Sequence, residues 1–181
     1  MQKCIAFLRG INVGGHRKIA MSDLKNLFLE NSYTDIETYI QSGNVIFSKP
    51  EISSFRDCEQ KLEFEILKKF GFDVPVIVRS KEEIKWILNS NPFLNEPSID
   101  TNRLFVTFLS DIPTSENVQL LEKTVLATDK FIIREKDIFM YCSGNYSDTK
   151  LTIGFFETKL KVRATSRNWN TLLKVFEKAD K

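Results

Sequence analysis

Histidine is nearly absent from this chain of 181 residues: His16 is the only one. A Ser-His-Asp or Cys-His arrangement would have to use that imidazole, and a lone loop histidine is more often solvated than a base. Cysteine is scarce too. Cys4, Cys58 and Cys142 are odd in number and far apart. No pair has the spacing of a zinc site or a redox couple. No metal is implied, and the thiols fit a reducing cytoplasm. The apolar run Cys4–Leu8 is too short for a signal-peptide core or a membrane span. The expectation is a cytoplasmic protein with no membrane partner. Tryptophan numbers 2 against 15 phenylalanines, so the core is aromatic but needs few buried polar partners.

A dominant charge of one sign is also missing, since the net charge is +2. Its distribution is uneven. Residues 1–20 hold four basic groups and no acid, and residues 159–181 hold seven basic and two acidic groups. The two ends therefore carry +4 and +5, which leaves −7 on the middle. If the ends meet they form a basic patch on an acidic body. Scattering over solvated faces is the commoner outcome for surface Lys and Arg.

What is present is the material of a packed core: 42% hydrophobic and 28% charged residues. Cys4–Leu8 reads as a strand buried on both faces. A glycine-rich loop, Arg9 to Lys18, follows. Ser22 or Asp23 then caps a helix with Leu24, Leu27 and Phe28 inward. Tyr33–Gln41 and Val45–Ser48 read as strands around a Ser42-Gly43-Asn44 turn. Ser54 starts the longest helix, and Gly71 closes it. Val74–Val78 is a strand that Pro75 pushes toward a sheet edge or a strand start. Ser80 and Glu83 make a capping box for the next helix.

The pattern then restarts. Arg103–Leu109 is a strand. Thr114 or Ser115 caps a helix with Val118, Leu121 and Val125 inward. Lys130–Arg134 and Ile138–Cys142 are strands, and Ser147 or Asp148 caps a helix carrying Leu151 and Phe155. A final helix, with Asn168 as N-cap, buries Trp169, Leu172, Leu173 and Phe176. The fold class expected is α+β: two ferredoxin-like (split βαβ) repeats sharing a core, with extra linking and C-terminal helices. The second repeat lacks its last strand. The boundaries expected are 1–90, a connecting loop 91–101, and 102–181, or one compact domain.

Gly10 to Gly15 has the G-x-x-x-x-G spacing of a P-loop, but His16 and Arg17 stand where Lys and Ser/Thr belong. The helix also starts too late for its amides to lie under a phosphate. A P-loop is excluded, and so is the G-x-G-x-x-G dinucleotide fingerprint. No cofactor is implied. The plainer reading of Gly14-Gly15 is a turn. The functional one is that their amides approach an anion neutralised by Arg9, Arg17 and Lys18. Gln41, Ser42 and Asn44 are hairpin residues unless that turn lies beside the glycine loop. Arg163 and Arg167 have no bland role except salt bridging. They are the strongest anion-binding candidates.

Three stretches carry a resemblance: Phe7–Gly15, Tyr39–Phe47 and Arg163–Thr171. Together they resemble the signature stretches of the DUF1697 family. The resemblance implies an α+β fold and a mainly bacterial family with no assigned activity, cofactor or partner, so no catalytic residues carry over.

The leading functional expectation is a binding module for a small anionic or phosphorylated ligand. Its candidate residues are Arg9, Asn12, Gly14, Gly15, Arg17, Lys18, Gln41, Ser42, Asn44, Arg163, Arg167 and Asn168. The alternatives are nucleic-acid (RNA) binding through the basic terminal segments and an enzyme without a recognisable motif. The RNP1 signature of RNA-binding sheets is not in the chain. The oligomeric state stays open.

Overall fold

The computed structural model describes residues 1–51, 54–97, 99–123 and 128–181. Val125, expected on a buried helix face, lies outside the described residues. The chain forms two compact units, Met1–Ile87 with Lys174–Lys181, and Leu88–Leu173. The C-terminal segment from Lys174, expected with the second half, thus belongs to the first unit. Two ion pairs are made there: Lys178 with Glu37, and Lys81 with Asp180 at 2.7 Å.

The first unit runs β1 (Gln2–Leu8), α1 (Met21–Glu30), β2 (Thr34–Tyr39), β3 (Asn44–Lys49), α2 (Phe55–Phe70), β4 (Val76–Ser80) and the start of α3 (Lys81–Ser90). Its sheet is antiparallel, in the order β2-β3-β1-β4. Cys4, Ala6 and Leu8 of β1 face a core completed by Leu24, Leu27 and Phe28 of α1 and by Cys58, Leu62 and Ile66 of α2. Ile5 and Phe7, on the opposite face, are equally buried, so the continuous apolar run has its expected cause.

Local chemistry sets the helix ends. The Ser54 hydroxyl accepts from the Asp57 amide at 3.0 Å, and Gly71 ends α2 at φ 81°. Ser80 and Glu83 exchange the two bonds of a capping box, at 2.7 and 3.0 Å. α1 differs. It starts at Met21, and its N-cap is Ala20, which has no side-chain acceptor. Neither Ser22 nor Asp23 caps it.

β4 is an edge strand, and Pro75 stands just before its first residue, so both places open to that proline are met. The edge is closed from α2: Glu59 and Glu63, one turn apart, accept from the Val78 and Val76 amides at 2.8 and 2.9 Å. Outward amides that could pair with another chain are thereby satisfied.

The second unit runs β5 (Leu104–Leu109), α4 (Ser115–Glu122), β6 (Lys130–Arg134), β7 (Asp137–Tyr141), α5 (Ile153–Leu160) and β8 (Ala164–Asn168), followed by α6 (Trp169–Ala179). Its sheet order is β6-β7-β5-β8. Strand β8 corrects the expectation that the second repeat stops one strand short. Ala-Thr-Ser-Arg-Asn has no apolar alternation to announce a strand. Pairing with β5 and a 2.5 Å contact between the Thr107 and Ser166 hydroxyls make it one. Glu157 of α5 accepts from the Ala164 amide at 3.0 Å, the same edge closure as in the first unit.

α5 also starts later than expected. Thr152 is its cap, accepting from the Phe155 amide at 3.1 Å, while Ser147 and Asp148 lie in a short 3-10 turn. Thr114 caps α4, and the Asn168 carboxamide caps α6 by accepting from the Asn170 amide at 2.9 Å. On α6, Trp169, Leu172, Val175 and Ala179 are the buried residues. Leu173 and Phe176, expected on that stripe, are only half-buried. Among the described residues no helix is long and apolar enough to cross a membrane.

Glu59 generates a pH prediction. Burial raises its carboxyl pKa, against the opposing Val78 amide and the Arg79 and Arg56 guanidiniums. A raised folded-state pKa gives stability that is present at low pH and lost as pH rises above the ordinary glutamate range. Glu59→Gln keeps an acceptor for Val78 without the titration. The stability difference, wild type minus variant, is expected to fall between pH 4 and pH 7. Urea unfolding at both pH values checks it; a difference that rises contradicts it.

Candidate functional site

β1 and α1 are joined by residues 9–20. Five of these residues have left-handed backbone: Gly10, Asn12, Gly14, Gly15 and Arg17. At its tip Val13 and His16 form an antiparallel bridge, with the His16 amide donating to the Val13 carbonyl at 3.0 Å. Gly14 and Gly15, at φ 59° and 80°, are the two central residues of that turn. Positive φ at both positions is what a tight two-residue hairpin turn demands.

The base of the loop is fastened by Asn12. Its Nδ2 donates to the carbonyls of Ile19 and Gln41, both at 2.9 Å, and its Oδ1 accepts from the Ile19 amide at 2.9 Å. Gln41 lies in the β2–β3 turn. The glycine loop and that turn are therefore neighbours, the condition under which Gln41 matters. Their approach depends on Gly43, at φ 77°. A Cβ there would lie 2.7 Å from the Leu8 Cβ and 3.0 Å from Ile11 carbons. The Leu8 amide donates to the Gly43 carbonyl at 2.8 Å.

Between loop and turn is an open pocket of about 320 Å³, lined by Asn12, Gly15, Lys18, Ile19, Ala20, Met21 and Gln41. Lys18 is its one charged lining group, and the uncapped start of α1 forms its floor. Neither Lys18 nor the Gln41 carboxamide has a side-chain partner among the described residues. Arg17 is exposed, with a guanidinium nitrogen 3.5 Å from where a Cβ on Gly10 would stand. Arg9 is half-buried, and its amide donates to the Pro75 carbonyl at 2.9 Å. Ser42 and Asn44 serve the turn: Asn44 is fully buried, and its Nδ2 donates to the Tyr39 carbonyl at 3.2 Å and the Ser42 hydroxyl at 3.0 Å.

Arg163, Arg167 and Asn168 lie in the second unit, at β8. Arg167 is 8% exposed and donates to the Thr165 hydroxyl at 2.9 Å and the Ser166 carbonyl at 2.8 Å. Burial pulls its pKa down to about 10, with Tyr146 opposing. Asn168 caps α6 and donates to the Asn102 carbonyl at 3.0 Å. The Arg163 backbone exchanges bonds with Ser110, at 2.8 and 3.2 Å.

Ile19, Ala20 and Met21 line the pocket but were not site candidates in the sequence. They carry no charge or hydrogen-bonding side chain. Their one legible signal was an alanine where a helix wants a cap. Among the described residues no group of three or more His, Cys, Asp or Glu could hold a metal ion.

Residues 1–139 match the family model described as a protein of unknown function, DUF1697. The chain belongs to the DUF1697 family. Both stretches that build the pocket fall inside the matched range, and Arg163–Thr171 falls beyond it. A solved structure of a conserved bacterial protein, SP0830 from Streptococcus pneumoniae, is similar at TM-score 0.77 and 24% identity, over 98% of each chain. That likeness shows the shared fold. No curated protein matches.

The Gly43 contact gives this DUF1697 chain a sharp test. Gly43→Ala adds a methyl against the Leu8 side chain in a left-handed backbone. It is expected to destabilise the fold by about 2–4 kcal/mol. Gly15→Ala, whose added Cβ would meet nothing within 4 Å, should cost only about 1–2 kcal/mol from its φ. Denaturant midpoints of the two variants check the order.

Proposed function

We propose that the pocket between the glycine loop and the β2–β3 turn binds a small anionic or phosphorylated ligand. Lys18 is the counter-charge, the Gln41 carboxamide orients the ligand, and the first amides of α1 add donors. The pocket lining has no carboxylate, imidazole, thiol or hydroxyl side chain. Binding is therefore favoured over catalysis.

The observation that carries this reading is an internal comparison. We read the two units as duplicated ferredoxin-like, split βαβ repeats. The sheet orders β2-β3-β1-β4 and β6-β7-β5-β8 support it. So does the register: Arg79 opposes Ile5 as Arg167 opposes Val106. Both arginines are buried, and each donates to the carbonyl of the residue before it. On that equivalence the second unit joins β5 to α4 with only Ser110–Thr114. It joins β6 to β7 with only Glu135 and Lys136. The fold does not need the long glycine loop or the longer Ile40–Gly43 turn. Both elaborations occur in one unit, and they meet at one pocket.

Thermal-shift and calorimetric titration with inorganic phosphate and a panel of monophosphate esters tests the proposal. Lys18→Ala is expected to weaken binding about tenfold, roughly 1.4 kcal/mol. Asp23 lies in the first turn of α1 and repels an incoming anion. Asp23→Asn should strengthen binding by roughly 0.3–1 kcal/mol. Absence of any anion-dependent shift, or indifference to Lys18→Ala, sinks the reading. Steeply salt-dependent binding to a polynucleotide in preference to monophosphates would transfer it to nucleic acid.

A further inference from the structure

We infer that Asn12 is the positioning residue of this site, a latch that holds the glycine loop against the β2–β3 turn, and not a ligand contact. The inference rests on the pocket reading for what is positioned. The latch itself stands on geometry.

A carboxamide offers two N–H donors and one oxygen acceptor. Asn12 commits all three functions at 2.9 Å: both Nδ2 hydrogens to the Ile19 and Gln41 carbonyls, and Oδ1 to the Ile19 amide. The surroundings fix which atom is nitrogen, because a flipped group would set oxygen against two carbonyls. Little remains to offer a ligand. The paired exchange with Ile19 imitates a backbone ladder and closes the loop at its base. The third bond crosses to the turn that carries Gln41.

Only asparagine meets every requirement at this position. Its φ is 56°, a left-handed conformation that asparagine tolerates and alanine resists. Aspartate has the right length, but it would face two carbonyl oxygens without a hydrogen to give. Glutamine is one methylene too long for the reciprocal pair. Glycine accepts the φ but has no amide. Side chains of Lys18 and Gln41 need a fixed frame to converge on one ligand, and the latch supplies it.

Amide hydrogen exchange with phosphate titration tests the inference. Asn12→Gly accepts the same left-handed φ and removes the latch. It should speed exchange of the Ile19 and loop amides about tenfold, leave the β1–β4 amides unchanged, and weaken phosphate binding about tenfold. Asn12→Asp should do the same. Gln41→Ala removes a side chain but not the carbonyl that Asn12 grips, so it should weaken phosphate binding while Ile19 exchange stays at the wild-type rate.

Two results overturn the latch. One is unchanged Ile19 exchange in Asn12→Gly. The other is lost phosphate binding in Asn12→Asp with unchanged loop exchange, which would make Asn12 a direct contact. If the wild type binds no phosphate ester, the pocket reading fails, and the exchange rates still decide the latch.

Discussion

The close approach of Gly43 to Leu8 is the constraint on which the site depends. Gly43 has no side chain, so the end of β1 and the β2–β3 turn can come within main-chain hydrogen-bonding distance. That contact sets where the Gln41 carbonyl stands, and Asn12 reaches it from the other side. A bulkier turn would push Gln41 outward. The loop would then lose the bond that Asn12 makes to the turn, although its internal Asn12–Ile19 pair would survive. The stack is thus ordered from the sheet upward: β1 fixes Leu8, Leu8 fixes the turn, and the turn fixes the loop.

Comparison within the chain separates what folds the units from what decorates them. Each unit closes its edge strand with glutamates from the preceding helix, Glu59 and Glu63 in one and Glu157 in the other. Each ends that strand with a buried arginine followed by a helix-capping Ser80 or Asn168. These devices recur because the same topology poses the same problems: an open edge, a strand end and a helix start. The glycine loop has no such recurrence: Ser110–Thr114 joins β5 to α4 without one.

Much of this was legible in the sequence because it is local. Ser54, Gly71, Ser80 with Glu83, and Thr114 act within one helical turn, and their roles follow from spacing. β8 was not legible. Its stability comes from β5, more than fifty residues away in sequence, and its polar residues carry no alternation of the usual kind. The late start of α5 has a related cause. Ser147, Asp148 and Thr152 are all acceptable caps on their own, and the burial of Leu151 ahead of the helix selects the third. At the site, composition singled out the glycine loop and counted Asn12 among its polar side chains, but a sequence hides the main-chain partners that Asn12 takes, Ile19 and Gln41.

Charge placement reaches the same pocket by a separate route. Two of the basic groups near the C-terminus have acidic partners: Lys174 pairs with Glu177 and Lys178 with Glu37. Arg167 is inside the second unit, and its lowered pKa of about 10 still leaves it a cation at neutral pH, committed to Thr165 and Ser166. Exposed pairs of this kind add little stability, but they cancel field. In the N-terminal segment Arg9 is half-buried, whereas Arg17 and Lys18 are exposed and have no ion-pair partner among the described residues. Two of the four basic groups of residues 1–20, Arg17 and Lys18, thus stand together at the end of the glycine loop. There the uncapped start of α1 adds its own positive potential. On the proposed reading, an anion approaching the first unit is drawn to the place where the glycine loop and the β2–β3 turn leave room for it.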